Sequence, residues 1–200
     1  MDDDLLLRDA TPMDAPFIAR VVLAGIEMLE IDAEVTDEYQ PILTHLIEIC
    51  RMEDTLYSYR HTRIAEMDGK AVGALIGYDG GQYAEMRAKT FGLVQQTSGL
   101  DLSKNAMETG KGEFYLDSMA IVPECRGRKI GLQLMRDQMD WAARNGFRTI
   151  TLLVDKDKPH LQRYYESLGF AFSEEMFVFG AWYRKLICLV SNVPMVEEHI

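Results

Sequence analysis

Two hydrophobic periods alternate along the chain, and their order sets out an architecture. Leu5, Leu6 and Leu7 open an apolar run that reads as a first strand. Thr11, Pro12 and Asp14 then mark a helix start: the threonine can cap, proline suits the first helical position, and the aspartate completes a capping box. Phe17, Val21, Gly25 and Met28, with Ile18, Val22 and Leu29, form a stripe at helical spacing. A second helix follows Thr36, with Tyr39, Leu43, Leu46 and Cys50 on one face and Pro41 in or near its first turn. Residues 60–67 and 70–78 read as two strands joined by Asp68-Gly69, a favoured two-residue hairpin turn.

Residues 79–112 are polar and glycine-containing, with one helix expected at 83–91. The stretch is long for a connection in one domain. It is either a lid that shapes an acceptor site or a tolerated surface insertion. Beyond it the pattern sharpens. A strand at 113–122 is followed by a helix at 127–145 that Gly146 ends, and then by a strand at 148–154 with Ile150, Leu152 and Val154 on one face. Leu161, Tyr164, Tyr165 and Leu168 make a short helix closed by Gly169, and strands at 170–179 and 182–190 finish the chain. The order predicts a single α/β domain over residues 1–200, a mixed sheet with helices on both faces.

Composition narrows the function classes. With 48% apolar residues, the 200-residue chain can bury a full core, and no apolar run reaches membrane-spanning length. The net charge of −11 disfavours nucleic acid and suits a cationic partner such as an amine. The acidic start, Met1 to Asp4, is unlike a secretory signal, so a cytoplasmic location is expected. Cys50, Cys125 and Cys188 are too few and too scattered for a disulfide framework. No histidine or cysteine pair stands at metal-ligand spacing, so no metal is expected.

The chemistry-bearing run is Ile121-Val122-Pro123-Glu124-Cys125-Arg126-Gly127-Arg128-Lys129-Ile130-Gly131. A strand ends, a turn follows, and a helix begins. The first amides of a helix lack internal partners and carry the positive end of its dipole. Arg126, Arg128 and Lys129 place three cations there, against the dipole, at ~0.3–1 kcal/mol each. A bound polyanion reverses that balance. Neither a Walker-type loop nor a dinucleotide fingerprint is present.

This run resembles the acetyl-CoA-binding motif of the GNAT superfamily of N-acetyltransferases. In that family a Val-x-Pro strand end leads through an Arg/Gln-x-x-Gly-x-Gly/Ala turn into a helix. Arg126, Ile130 and Gly131 match in register after Ile121, Val122 and Pro123, whereas Lys129 stands at the central glycine. Tyr164-Tyr165-Glu166-Ser167-Leu168-Gly169-Phe170 resembles a second family block, and Lys158 stands where many members have asparagine. The likeness covers residues 113–178 well; the first 79 residues match in element order. It implies a GNAT-like, mostly antiparallel sheet of about seven strands and direct acetyl transfer to a primary amine of a small molecule or peptide. Acetyl-CoA would be held at Ile121, Val122, Arg126, Gly127, Arg128, Lys129, Ile130 and Gly131.

An amine attacks a thioester only when neutral, so a base helps. By the resemblance, Asp117 or Glu113 fills that role, and Tyr165 protonates the departing thiolate. A backbone amide near Ile121 meets the carbonyl oxygen, and the pantetheine arm pairs with the Ile121 and Val122 backbone. By analogy, a homodimer forms through the closing strands. Two other classes stay open: an acyl-CoA sensor with little catalysis, and an interaction protein with an empty cleft. Replacing both Arg126 and Arg128 with glutamate is expected to weaken acetyl-CoA binding at least tenfold, about 1.4 kcal/mol. Calorimetric titration checks this, and unchanged affinity removes the anion site.

Overall fold

The computed structural model describes residues 5–190. Seven strands form one sheet: β1 (Leu6–Asp9), β2 (Thr62–Met67), β3 (Lys70–Asp79), β4 (Glu113–Ile121), β5 (Thr149–Asp155), β6 (Ala171–Val178) and β7 (Ala181–Leu189). The helices are α1 (Ala15–Gly25), α2 (Gln40–Arg51), α3 (Tyr83–Ser98), α4 (Ile130–Arg144) and α5 (Pro159–Ser167). Strand order is β1-β2-β3-β4-β5-β7-β6, and every neighbouring pair is antiparallel except β4 with β5. The mixed, mostly antiparallel sheet with helices on both faces matches expectation.

Alternation along the strands divides the core in two. On one face Ile64, Ile76, Tyr78 and Tyr115 pack with Ile18 and Val22 of α1, Leu46 of α2 and Tyr83 of α3. On the other, Phe114, Leu116, Ile150 and Leu186 pack against Leu134 and Met139 of α4, with Leu161 and Tyr165 of α5 alongside. Arg8 pins the start of the chain, pairing with Asp14 at 2.8 Å and with Glu66 of β2 at 2.6 Å. Asp14 also accepts from the Thr11 N–H at 2.7 Å, the reciprocal half of the expected capping box. A 3-10 turn at Pro12–Asp14 precedes α1.

Four helix boundaries differ from the sequence reading. Helix α2 begins at Gln40 rather than just after Thr36, so Tyr39 caps it instead of joining its face. Helix α1 stops at Gly25, so Met28 and Leu29 lie beyond it. Glu27 takes the left-handed conformation (φ 57°), and the Met28 N–H bonds back to the Leu23 carbonyl, a closure more usual at glycine. Helix α3 runs to Ser98 rather than ending near residue 91, because its polar last turn carries little apolar pattern. Helix α4 starts at Ile130 rather than 127, because Gly127 (φ 79°) and Lys129 (φ 62°) both leave helical geometry. The glycine closures at Gly146 and Gly169 hold as read: the Phe147 N–H reaches the Ala142 carbonyl, and the Phe170 N–H reaches that of Tyr165.

Two irregularities position the site. Parallel pairing of β4 with β5 covers only Glu113 to Leu116 against Thr149 to Leu152. Beyond that point the strands have no mutual register. A β-bulge also interrupts β4 against β3, where one residue of β3 (Ile76) opposes two of β4 (Asp117 and Ser118). The sheet ends at β6, an exposed edge with Phe172 and Phe177 on its surface and Glu174 and Glu175 at its middle.

The excursion after α3 is tied down along its length. The Arg87 guanidinium donates to the carbonyls of Leu102, Ser103 and Asn105. The Asn105 side chain accepts from the Phe179 N–H at 2.7 Å. At its end, the Gly110 carbonyl and the Thr109 hydroxyl crowd Gly80: a Cβ there would overlap the Gly110 oxygen and sit 2.5 Å from Thr109 Oγ1. Backbone cannot yield as a side chain can, so Gly80→Ala is expected to destabilise the fold by about 1–3 kcal/mol. Thermal denaturation checks this; an unchanged midpoint shows that the excursion is loosely docked.

Candidate active site

Where β4 and β5 part, a cavity of about 820 Å³ opens through the sheet. It is lined by Leu116, Met119 and Leu152, by Tyr165 and Lys158 from α5 and the turn before it, and by Asp117 and Ser118 at the bulge. The segment 24–27 at the end of α1, residues Leu100, Asp101, Leu102 and Asn105 of the excursion, and Phe179, Gly180 and Tyr183 of the last hairpin complete the walls. Met119 of β4 and Tyr165 of α5 pack with the α4 core, whereas Asp117 bonds to Tyr78 of the α1 core. The cavity therefore joins the two faces of the sheet.

The bulge sets Asp117 and Ser118 on one face. Asp117 accepts from the Tyr78 hydroxyl at 2.5 Å and the Ser118 hydroxyl at 2.7 Å. Burial raises the Asp117 carboxyl above its ordinary range, and the two hydroxyls offset only part of that. Glu113, the other base candidate, lies elsewhere. It pairs with Lys185 at 2.9 Å and accepts from Thr109 at 2.7 Å. Burial would raise it, but Lys185 and Thr109 outweigh that and hold it below the usual carboxylate range. It does not line the cavity.

Glu108 stands next to the site rather than in the cavity lining, and no sequence signal marks it, since it is one acidic residue in an aperiodic stretch. Its carboxylate accepts from the hydroxyls of Tyr83 and Tyr115, each at 2.7 Å. Burial, then the charge of Asp117, pushes it up to about 7, against the lowering pull of both tyrosines and Arg87. Tyr78, Tyr83 and Tyr115 pack as one aromatic group, Tyr78 stacking on Tyr83 at 6.2 Å and meeting Tyr115 at 5.7 Å.

Tyr165 lines the cavity and Tyr164, one position away, does not. Burial, then Tyr164, pushes the Tyr165 phenol up to about 12. Lys158 precedes α5 and pairs across the cavity wall with Glu27.

The anion-binding run lies at the far end of β4. Among the described residues, the amides of Gly127 and of residues 129–132 donate to no backbone carbonyl, and the first helical bond runs from Gln133 to Lys129. Gly127 has open space where a Cβ would stand. Lys129 adopts the left-handed backbone that glycine would take, so the turn keeps its shape despite the side chain. Arg126 donates to the Ile121 carbonyl at 3.2 Å and meets Glu30 at 3.4 Å; Arg128 leans towards Met67 at 3.8 Å. Ile130 is core, and Gly131 packs near Met119. A helix start whose first amides face outward, with basic side chains beside it, fits a pyrophosphate.

The two backbone candidates differ. The Val122 N–H is bonded to the Val72 carbonyl of β3. Gly73 and Ile121 are opposed without exchanging bonds, so Ile121 turns its own N–H and C=O to the open side of β4. Ile121 thus offers an outward N–H, and a carbonyl that Arg126 also contacts, to an added strand, whereas the Val122 amide is already taken.

Residues 28–170 match the profile of the Acetyltransferase (GNAT) family. That is well over half of the chain, which belongs to this family, whose members typically use acetyl-CoA. Among solved structures, one described as an acetyltransferase is 28% identical, with a TM-score of 0.73 over 92% of this chain and 99% of that one. An N-acetyltransferase from Staphylococcus aureus Mu50 is 22% identical, with a TM-score of 0.73 over 91% and 99%. The ribosomal-protein-S18-alanine N-acetyltransferase of Escherichia coli shares the fold at 14% identity, with a TM-score of 0.55 over 98% and 99%. No curated protein matches the chain.

Glu108 makes stability pH-dependent with a definite sign. Its folded value lies above the ordinary 4.5, so the folded state holds more protons than the unfolded one between about 4.5 and about 7. Stability therefore falls as pH rises through that window. Glu108→Gln stays neutral and is expected to lose less of its melting temperature between pH 5 and pH 8 than the unaltered protein. Parallel pH profiles would contradict the assignment.

Proposed function

We propose that the protein transfers an acetyl group directly from acetyl-CoA to a primary amine in the cavity between β4 and β5. One observation carries this reading: Asp117 and Tyr165 line the same cavity, from opposite faces of the sheet. Bound acetyl-CoA supplies an activated acetyl thioester. The amides of Gly127 and of residues 129–132, with Arg126, Arg128 and Lys129, hold its pyrophosphate at the start of α4. The open edge of β4 at Ile121 aligns the pantetheine arm, in the manner of strand addition.

The remaining steps belong to proton-holding side chains. Asp117 takes a proton from the incoming ammonium, directly or through water. Burial raises its proton affinity, which suits a base working near neutrality. Tyr165 keeps its phenolic proton at neutral pH and delivers it to the sulfur as the thiolate departs. Glu113 is neutralised by Lys185 and acts in the fold, joining β4, β7 and Thr109. The excursion 79–112 forms part of the acceptor wall through Phe91, Leu100 and Leu102.

Tyr165→Phe keeps the ring against Phe170 and removes only the hydroxyl, with the proton it would deliver. It is expected to leave folding and acetyl-CoA affinity close to unchanged and to lower kcat roughly 10²-fold. Tyr164→Phe is expected to have little effect. CoA release and acetylated product, measured together over a panel of amines, test both the reading and the role. Normal turnover by Tyr165→Phe returns Tyr165 to a packing role. Binding of acetyl-CoA without transfer to any amine favours the sensor.

A further inference from the structure

The lining of the cavity is one-sided in charge. Glu27, Asp101, Asp117 and Asp155 face it, against the single cation Lys158, which is already paired with Glu27. Arg87 of α3 does not line the cavity and is committed to the protein: its guanidinium serves three carbonyls and lies over the Phe91 ring, 4.9 Å from its centre. Glu108 adds a further carboxylate whose charge reaches Tyr57 and Tyr183, both in the lining. The walls between these charges are apolar or aromatic: Tyr57, Phe91, Leu100, Leu102, Phe179 and Tyr183.

A second observation points to an occupant. Tyr57 lines the cavity from the α1 side, and no hydrogen bond to its hydroxyl is found among the described residues. Tyr183, which lines the cavity from β7 opposite Asp155, is likewise without a hydrogen bond to its hydroxyl among the described residues, whereas Tyr78 is engaged with Asp117, and Tyr83 and Tyr115 with Glu108. Neither hydroxyl is sealed from solvent, so both are open to a ligand group that enters the cavity.

Resting on the transfer reading above, we propose that the acceptor is a small amine with an apolar or aromatic body and no carboxylate beside its amino group: an arylalkylamine rather than the corresponding α-amino acid. Its ammonium is attracted by Asp117 and Glu108 and sits against aromatic faces, which favour cations. Its body fills the space between Phe91, Phe179 and the two tyrosines. An amino acid brings a carboxylate into the same space. No arginine or free lysine in the lining receives it, and four carboxylates repel it.

The test uses the full chain with saturating acetyl-CoA and matched acceptors: phenethylamine against phenylalanine, tryptamine against tryptophan, with spermidine as an amine lacking an apolar body. CoA release and acetylated product give kcat and KM for each. The expected result is a kcat/KM at least tenfold higher for each arylalkylamine than for its amino acid, and higher than for spermidine. Asp117→Asn is expected to raise KM for phenethylamine at least fivefold and to leave KM for phenylalanine unchanged. Loss of a base alone would lower kcat for both and preserve their ratio. Titration of phenethylamine and phenylalanine into the unaltered protein with CoA gives the same comparison without turnover. Equal use of both members of a pair, preference for the amino acid, or preference for spermidine overturns the proposal while the transfer reading stands. If acetyl-CoA binds but no acceptor is acetylated or bound, both readings fall.

Discussion

Everything at this site depends on a pairing that stops. Parallel strands β4 and β5 hold each other over four residues and then separate, although both continue. Had the ladder run on, Leu153 to Asp155 would cover the edge of β4, and no ligand could pass between the faces. The separation has a local companion in the bulge opposite Ile76, which shortens β3 relative to β4 and turns Asp117 and Ser118 towards α1. A bulge increases local twist and bends its strand. The bend carries the end of β4 away from β5 and delivers the chain to the turn that opens α4.

The price is a group of acids in poor solvent. Burial raises both Asp117 and Glu108, and the charge of Asp117 raises Glu108 further, yet both are retained among tyrosine hydroxyls. Hydroxyls suit this task because they donate to either carboxylate without fixing its charge, whereas a lysine or arginine would. Glu113, two residues from Tyr115 on the same strand, shows the contrast: it has Lys185 and is held ionised. The strand thus carries one carboxylate locked in an ion pair and one left responsive to whatever enters the cavity.

Much of this was legible in the sequence, and the reasons are specific. The strands and helices from Glu113 onward follow their periods closely, and Gly146 and Gly169 close helices where glycine should. The cofactor turn was visible because its cations oppose a helix dipole. Its helix start was placed three residues early, since nothing in the one-letter pattern shows that Lys129 adopts a glycine-like backbone. The end of α1 was missed for the same reason: Glu27 takes the left-handed position without being a glycine. Glu108 and Tyr57 were invisible because their importance comes from residues distant in the chain. A single glutamate in a polar run gains meaning only when Tyr83 and Tyr115 close around it. Asp117 and Glu113 looked equivalent on one strand, and only the position of Lys185 separates them.

The exposed edge at β6 has a consequence for how copies of the chain can meet. Strand addition there about a two-fold axis at the strand's midpoint would run antiparallel, setting Glu174 directly opposite the neighbouring molecule's Glu175, and the reverse. Like charges facing across a ladder repel. Lys156 and Arg184 shield Glu175 from within its own chain, but Glu174 has no ion-pair partner among the described residues. The aromatic side chains that make this edge adhesive are thereby matched by a carboxylate pair that blocks its most symmetric register. Any assembly through the closing strands has to slide off centre or use the sheet's face.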